Sequence, residues 1–313
     1  MSASDRRIIF VQGTTASGKS DWALRLAQKH KGVIVNCDSI QVYKKLDIGS
    51  AKPSVEERSL LPHYLFDYVN PPEEMTAGVY SRNFEDVLKQ IPEATPVFVV
   101  GGTGFYFMAI EKGMYPVRTV SEELRKQVER EVQEEGGAQR LWNELHEKDP
   151  EYASKIHVAD HYRIGRAIEL IRSEGKSVTE VQEEFRHQKS AFPYPLLKVA
   201  PRWDREKLAE RIQWRTEKML AAGLIEEVKV VLDEGWAQWS PLQSVGYREV
   251  LDYLTGKISK TELAPLIAQG TRQLAKKQRT WFQRDAEILW FDGENGWTDL
   301  ESRVEEFLGS LTQ

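Results

Sequence analysis

The stretch Gly13-Thr14-Thr15-Ala16-Ser17-Gly18-Lys19-Ser20 reads G-x-x-x-x-G-K-S, the spacing of a phosphate-cradling loop. Its flanks are the ones such a loop requires. Before it, Ile8-Ile9-Phe10-Val11 is a short apolar run of branched and aromatic residues, as a buried strand needs. After it, residues 21–30 place Trp22, Ala23, Leu26 and Ala27 at helical spacing. Gly13 and Gly18 let the backbone curl so that the N–H groups of Thr14, Thr15, Ala16 and Ser17 point inward. The helix that follows aims its positive end at the same spot. Lys19 adds a mobile cation, and Ser20 offers a hydroxyl to Mg²⁺. The loop does not say whether the phosphate belongs to a nucleotide.

Working outward, residues 33–37 read as a second strand, followed by Asp38-Ser39-Ile40-Gln41. In open α/β sheets ligands sit outside the carboxyl ends of the strands, so Asp38 is expected to face whatever Lys19 holds. Residues 62–67 suggest a short third strand and 76–90 a helix. Residues 95–100 read as a further strand, broken by Gly101-Gly102-Thr103-Gly104. From Ser121 to about Arg186 helix follows helix with no strand, a helical insertion opened by a Ser121 cap. Residues 196–200 return to strand character. Helices are expected over 205–222, 224–233, 247–254 and 260–285, and a last strand over 288–291. The reading is an α/β core, residues 1–117 and 190–313, interrupted by an all-helical domain at 118–189.

The 313 residues allow a large core; 41% hydrophobic and 29% charged residues describe an ordinary soluble globular chain. A lone cysteine, Cys37, excludes an internal disulfide and a Cys-rich zinc module. The polar first seven residues carry no secretory signal, and no apolar run approaches a membrane span. A cytoplasmic protein with no membrane partner is expected. The net charge of −5 argues weakly against nucleic acid, but clustered basic residues override a net value.

Such clusters exist. Arg202, Arg205, Arg211, Arg215 and Lys218 gather around one helix, and Arg211, Arg215 and Lys218 share a face at i, i+4, i+7. Arg272, Lys276 and Arg279 form a stripe with Lys277 and Arg284 beside it, interrupted by Trp281 and Phe282. Arg163 and Arg166 lie three apart in the insertion. A solvated face is the usual meaning of one such stripe; three in an acidic chain favour a nucleic-acid or polyphosphate surface. Gln243-Ser244-Val245-Gly246-Tyr247-Arg248 is a glycine-broken entry to a helix, whose Tyr and Arg suit stacking on and clamping RNA bases. A plain helix start is the other reading. Asp38 reads as a Mg²⁺-holding acid, as a general base, or as an Asx-turn residue. Thr103 brings a hydroxyl to the same sheet edge.

Taken in order, G-x-T-A-S-G-K-S, D-S-x-Q-V-Y, G-G-T-G-x-Y, S-V-G-Y-R-E and R-Q-L-A-K-K-Q-x-T-W resemble the tRNA dimethylallyltransferases, over nearly the whole chain. The resemblance implies a P-loop kinase-like parallel sheet with a helical insertion that meets the tRNA anticodon arm. It implies transfer of a five-carbon allyl group from dimethylallyl diphosphate to N6 of the adenosine just 3′ of the anticodon. It gives Asp38 the role of base and Thr103 a hydrogen bond near the reacting centre. Residues 13–20 would hold the diphosphate, with Mg²⁺ on Ser20 and with Arg211 or Arg215 as a further cation. It places tRNA contacts at Asp38, Ser39, Ile40, Gln41 and Thr103, and at Arg125, Tyr162, Arg163 and Arg166. It adds residues 243–248, namely Gln243, Ser244, Val245, Gly246, Tyr247 and Arg248, together with Lys276, Lys277, Arg279 and Gln283. Thr14, Ile40 and Tyr64 stand where proline, arginine and histidine are common in that family; none removes a group the chemistry needs. A monomer of the bacterial form, without a zinc finger, is expected. The competing readings are an ATP-dependent small-molecule kinase, a transferase acting on free AMP, and a non-enzymatic RNA-binding switch.

Overall fold

The computed structural model describes residues 6–114, 120–188 and 192–309. Two compact units emerge, Met1–Glu111 with Phe192–Gln313, and Lys112–Ala191. The boundaries expected at 117/118 and 189/190 lie outside the described residues.

The larger unit begins with β1 (Ile8–Gln12), α1 (Lys19–Lys29), β2 (Val33–Asn36), α2 (Val55–Ser59), β3 (His63–Tyr64), α3 (Ala77–Gln90), β4 (Val97–Gly101) and α4 (Gly104–Lys112). The helical unit holds α5 (Glu122–Gln133), α6 (Gly137–Lys148), α7 (Pro150–Ala153), α8 (His161–Glu174) and α9 (Val178–Gln188). The chain then adds β5 (Leu196–Arg202), α10 (Arg205–Ala221), α11 (Leu224–Asp233), α12 (Tyr247–Leu254), α13 (Lys260–Phe282), β6 (Leu289–Asp292) and α14 (Trp297–Gly309) to the larger unit.

All strands run parallel in the order β3-β2-β4-β1-β5-β6. β1 sits between β4 and β5, with Ile8 opposite both Val97 and Leu196. Every residue of β1 and β4 is buried, which explains their unbroken apolar sequences: a parallel sheet is covered on both faces. Ile9 and Val11 face Trp22 and Leu26 of α1 and Leu300 and Val304 of α14. Phe10 packs on Phe107 of α4, ring centres 4.9 Å apart. Each such large apolar side chain contributes roughly 2 kcal/mol of burial. The chain leaves β1 toward β2 on one side and later crosses to β5 on the other. The carboxyl ends of β1, β2 and β4 thus open one crevice at the point where the winding reverses.

Two elements were not expected from the sequence, the short α2 and the closing α14. The latter carries Trp297, Leu300, Val304 and Phe307 at helical spacing against the sheet. The helix expected to reach 285 ends at Phe282. The helical unit has its own core, built from Val128, Leu141, Leu145, Ile164, Ile168 and Val178.

Candidate active site

The loop after β1 is left-handed at three points: Gly13 (φ 149°), Ala16 (φ 61°) and Gly18 (φ 86°). Alanine at such an angle costs on the order of 1 kcal/mol, so the surroundings must hold it there. They do so through its carbonyls. Arg211 Nε donates to Ala16 O at 2.8 Å, and Trp203 Nε1 donates to Ser17 O at 2.8 Å. The Arg211 guanidinium lies over the Trp203 ring, 4.3 Å from its centre. A Cβ on Gly18 would come within 3.3 Å of that guanidinium. Arg211 is therefore a brace behind the loop.

Arg215, one turn further along α10, does something else. It lines a cavity of about 220 Å³ together with Thr15, Lys19, Ser20 and Asp38. Among the described residues it makes no ion pair and no side-chain hydrogen bond. Lys19 Nζ rests on Thr14 O at 3.2 Å. Burial pulls the Lys19 ammonium down to about 8; the Asp38 carboxylate opposes this and Arg215 adds to it. Burial likewise lowers Arg215, with Asp38 opposing. Two poorly solvated cations at one end of a cavity make a receptor for a multiply charged anion. The wall beyond them is apolar, with Ile212, Met219, Ile267 and Leu274.

Asp38 follows β2. Its Oδ1 accepts from the Ile40 N–H at 2.9 Å and, more weakly, from Gln41 at 3.4 Å, an Asx turn. Asn36 fixes the start of that turn by accepting from the Asp38 N–H at 3.0 Å. The turn and a cavity-facing carboxylate are thus one arrangement, since Oδ2 takes no part in the turn. Thr103 Oγ1 accepts from the Ser39 N–H at 2.9 Å and donates to Ser39 Oγ at 3.2 Å, tying the end of β4 to the Asp38 loop.

The glycines around Thr103 have a packing reason. A Cβ on Gly101 would lie 1.9 Å from Cys37 O, one on Gly102 2.5 Å from Gln278 Nε2, and one on Gly104 2.2 Å from Trp281. The close approach is to β2 and to α13. Gln278 was not singled out in the sequence, yet it lines the cavity and joins two loops. Its Oε1 accepts from the Thr15 N–H at 2.8 Å, and its Nε2 donates to Gly102 O at 3.0 Å. The available signals were the second glutamine of R-Q-L-A-K-K-Q-x-T-W, which is Gln278, and its place four residues after Leu274 and three before Trp281, on the inner face of the basic helix.

Of the remaining expected residues, Ile40, Gln41, Ser244 and Val245 line the cavity. Gln41 Nε2 donates to Ser50 O and Ala51 O. Tyr247 lines it too, but its ring, expected from the sequence to stack on an RNA base, is buried instead, the residue being 1% exposed. Its hydroxyl donates to Glu227 Oε1 at 2.8 Å and accepts from the Ser50 N–H at 3.1 Å. Glu227 also takes the N–H groups of Asp47, Ile48 and Gly49, so Tyr247 and Glu227 together shape the loop that walls the cavity. Gly246 has φ 96° and donates its N–H to Glu249, and Arg248 is exposed and pairs with the same carboxylate. Gln243 and Gln283 are exposed.

On α13, Lys276 and Lys277 are exposed and Arg279 half-buried; with Arg272 and Arg284 they form no ion pair among the described residues. That contrasts with the helical unit. There Arg125 pairs with Glu129 and Arg163 with Asp160, each at 3.4 Å, and Arg166 pairs with Glu169. Tyr162 is 78% exposed in that unit.

No cluster of three metal-ligating side chains occurs among the described residues. Mg²⁺ does not need one, because it keeps several waters and takes one or two protein oxygens beside phosphate oxygens. The Ser20 hydroxyl, exposed at the start of α1 and on the cavity wall, fits that demand. Among the described residues no helix is long and apolar enough to cross a membrane.

The chain is similar to known proteins in sequence and in fold. The model of the family described as IPP transferase matches residues 41–285. The tRNA dimethylallyltransferase of Bdellovibrio bacteriovorus is 64% identical, covering 97% of this chain and 98% of the relative. That of Geobacter metallireducens is 39% identical over 96% and 97%. Among solved structures, the full-length tRNA isopentenylpyrophosphate transferase of Bacillus halodurans is similar with a TM-score of 0.71 and 30% identity, covering 97% of each chain. A eukaryotic dimethylallyltransferase acting on tRNA is similar with a TM-score of 0.82 and 26% identity, over 97% of this chain and 80% of that one.

Proposed function

The chain belongs to the IPP transferase family, and from that premise we propose how its residues carry out dimethylallyl transfer to tRNA. The donor is dimethylallyl diphosphate, and the acceptor is N6 of the adenosine just 3′ of the anticodon. The products are N6-isopentenyladenosine and diphosphate.

The allylic C1–O bond breaks readily, because the developing carbocation is delocalised; the protein's task is to take the departing charge. Lys19, Arg215 and the loop amides do this, apart from the N–H groups of Thr15 and Ser17, which Gln278 and the Thr14 carbonyl take. Ser20 would hold Mg²⁺ there, and the ion would neutralise part of the same charge. Arg211 keeps the loop in shape from behind. The dimethylallyl tail lies along the apolar wall of Ile212, Met219 and Leu274. The acceptor amine is a weak nucleophile, since its lone pair is drawn into the purine. Asp38 removes its proton as the N6–C1 bond forms, and Thr103 sets the Asp38 loop through Ser39. The adenine reaches this point only if it leaves the anticodon stack, as in base flipping. The unpaired cations of α13 hold the RNA backbone, and the helical unit, with Arg125, Tyr162, Arg163 and Arg166, meets the anticodon arm. The protein acts as a monomer in the cytoplasm.

One observation carries the reading: an unpaired Arg215 and a lowered Lys19 share one cavity with Asp38 and an apolar wall. The wall gives a hydrocarbon tail an apolar surface beside the cations. The test is incubation with labelled dimethylallyl diphosphate and unmodified tRNA, with ATP in a parallel reaction. Label in RNA is expected. ATP turnover with no label in RNA refutes the proposal.

A further inference from the structure

The diphosphate loop follows β1, the Asp38 loop follows β2, and the turn that carries Thr103 follows β4. Displacement in line requires their separation to be held to a fraction of an ångström. The β1–β4 ladder sets the spacing of the first and last as far as Gln12 opposite Gly101, and ends there. Beyond it each segment is a glycine-broken turn, and Gln278 joins the two. One side-chain amide spans the gap, accepting from the Thr15 N–H at 2.8 Å and donating to Gly102 O at 3.0 Å. The linkage continues without a break: Gly102 precedes Thr103, Thr103 Oγ1 holds Ser39, and Ser39 follows Asp38. Gln278 itself stands on the 23-residue helix α13. The fit is close, since a Cβ on Gly102 would meet Nε2 at 2.5 Å.

We infer that Gln278 is a positioning residue, a strut that holds the diphosphate loop to the Thr103 turn, to which the Asp38 loop is tied through Ser39, and so governs the chemical step more than the binding of either substrate. The inference rests on the transferase reading above. Gln278 donates to no reacting atom and moves no proton. Both polar ends of its amide are used, so only an amide satisfies both loops at once. Glutamate keeps an acceptor for Thr15 but sets oxygen against the Gly102 carbonyl. Methionine keeps length and approximate volume but makes neither bond.

The test is single-turnover transfer from labelled dimethylallyl diphosphate to unmodified tRNA, beside separately measured affinities for both substrates, in wild type, Gln278→Met and Gln278→Glu. The expected result is a transfer rate at saturation reduced about 30- to 300-fold, an estimate for a site held about an ångström too loosely. Both dissociation constants should stay within about threefold of wild type, and the melting temperature within a few degrees. If Gln278→Met does not fold, the isosteric Gln278→Glu decides by the same comparison. A saturating rate within threefold of wild type overturns the inference. So does a rate loss matched by an equal loss of affinity for either substrate, which would make Gln278 a binding or folding residue. Absence of transfer in wild type itself would instead refute the transferase reading.

Discussion

Raising the pH from 7 to 9 should weaken the binding of dimethylallyl diphosphate about tenfold, with Lys19 as the responsible group. The cavity strips Lys19 of water, and this brings its ammonium down to about 8, with the Asp38 carboxylate resisting and Arg215 assisting. Below that value Lys19 is charged; above it, the free protein has released the proton. A bound diphosphate favours the ammonium, so above pH 8 binding must take a proton back, and affinity falls as pH rises. At pH 7 about nine molecules in ten carry the proton and at pH 9 about one in ten. If only the charged form binds, the ratio is about tenfold, or about 1.4 kcal/mol. The assay is titration calorimetry with a non-reactive thio-analogue of the donor, in buffers of different ionisation enthalpy, so that proton uptake is read directly. Lys19→Arg keeps a charge throughout and should flatten the profile. Asp38→Asn removes the resisting charge and should move the inflection to lower pH, whereas Arg215→Met should move it higher. A wild-type affinity that is flat from pH 7 to 9, or a decline that survives in Lys19→Arg, refutes the reasoning.

Asp38→Asn should lower turnover by roughly 10²–10⁴ with tRNA affinity nearly intact; because asparagine still accepts from Ile40, a variant with full activity removes Asp38 as the base. Arg215→Met should weaken donor binding with little change in melting temperature. Arg211→Met, which loses the bond to Ala16 O and the stacking on Trp203, should cost about 1–3 kcal/mol of stability in denaturant unfolding; the reverse pattern would exchange their roles. Lys276→Ala with Arg279→Ala should lower the slope of log affinity for tRNA against log salt by about 1 for each phosphate that is no longer neutralised, and an unchanged slope would leave the stripe a solvated face.

The sequence was informative where chemistry needs a fixed local spacing. The loop at 13–20, the strand before it and the helix after it are contiguous, so each is legible without knowing what folds onto it. The helical insertion was legible for the same reason, through caps and apolar periodicity such as Ser121 with Leu124 and Val128. Asp38 and Thr103 were legible as strand-end residues. The closing α14 was missed although its apolar spacing is regular, because a helix after the last strand completes no local motif and matters only as a cover for the sheet.

What the sequence by itself determined is the order of elements and the sets of candidate residues that they carry. Tertiary structure decided which member of each set does what. Arg211 and Arg215 share a face in one dimension, but a single turn of α10 puts the first behind the loop on Trp203 and the second inside the cavity. Tyr247 reads as a base-stacking residue beside Arg248, yet Glu227, 20 residues earlier, draws its hydroxyl into the wall. Gln278 lies 263 residues from Thr15 and 176 from Gly102, so no local pattern could pair them. Roles of this kind follow from where a side chain's polar end finds a partner after packing, and that partner is set by the fold rather than by the neighbouring sequence.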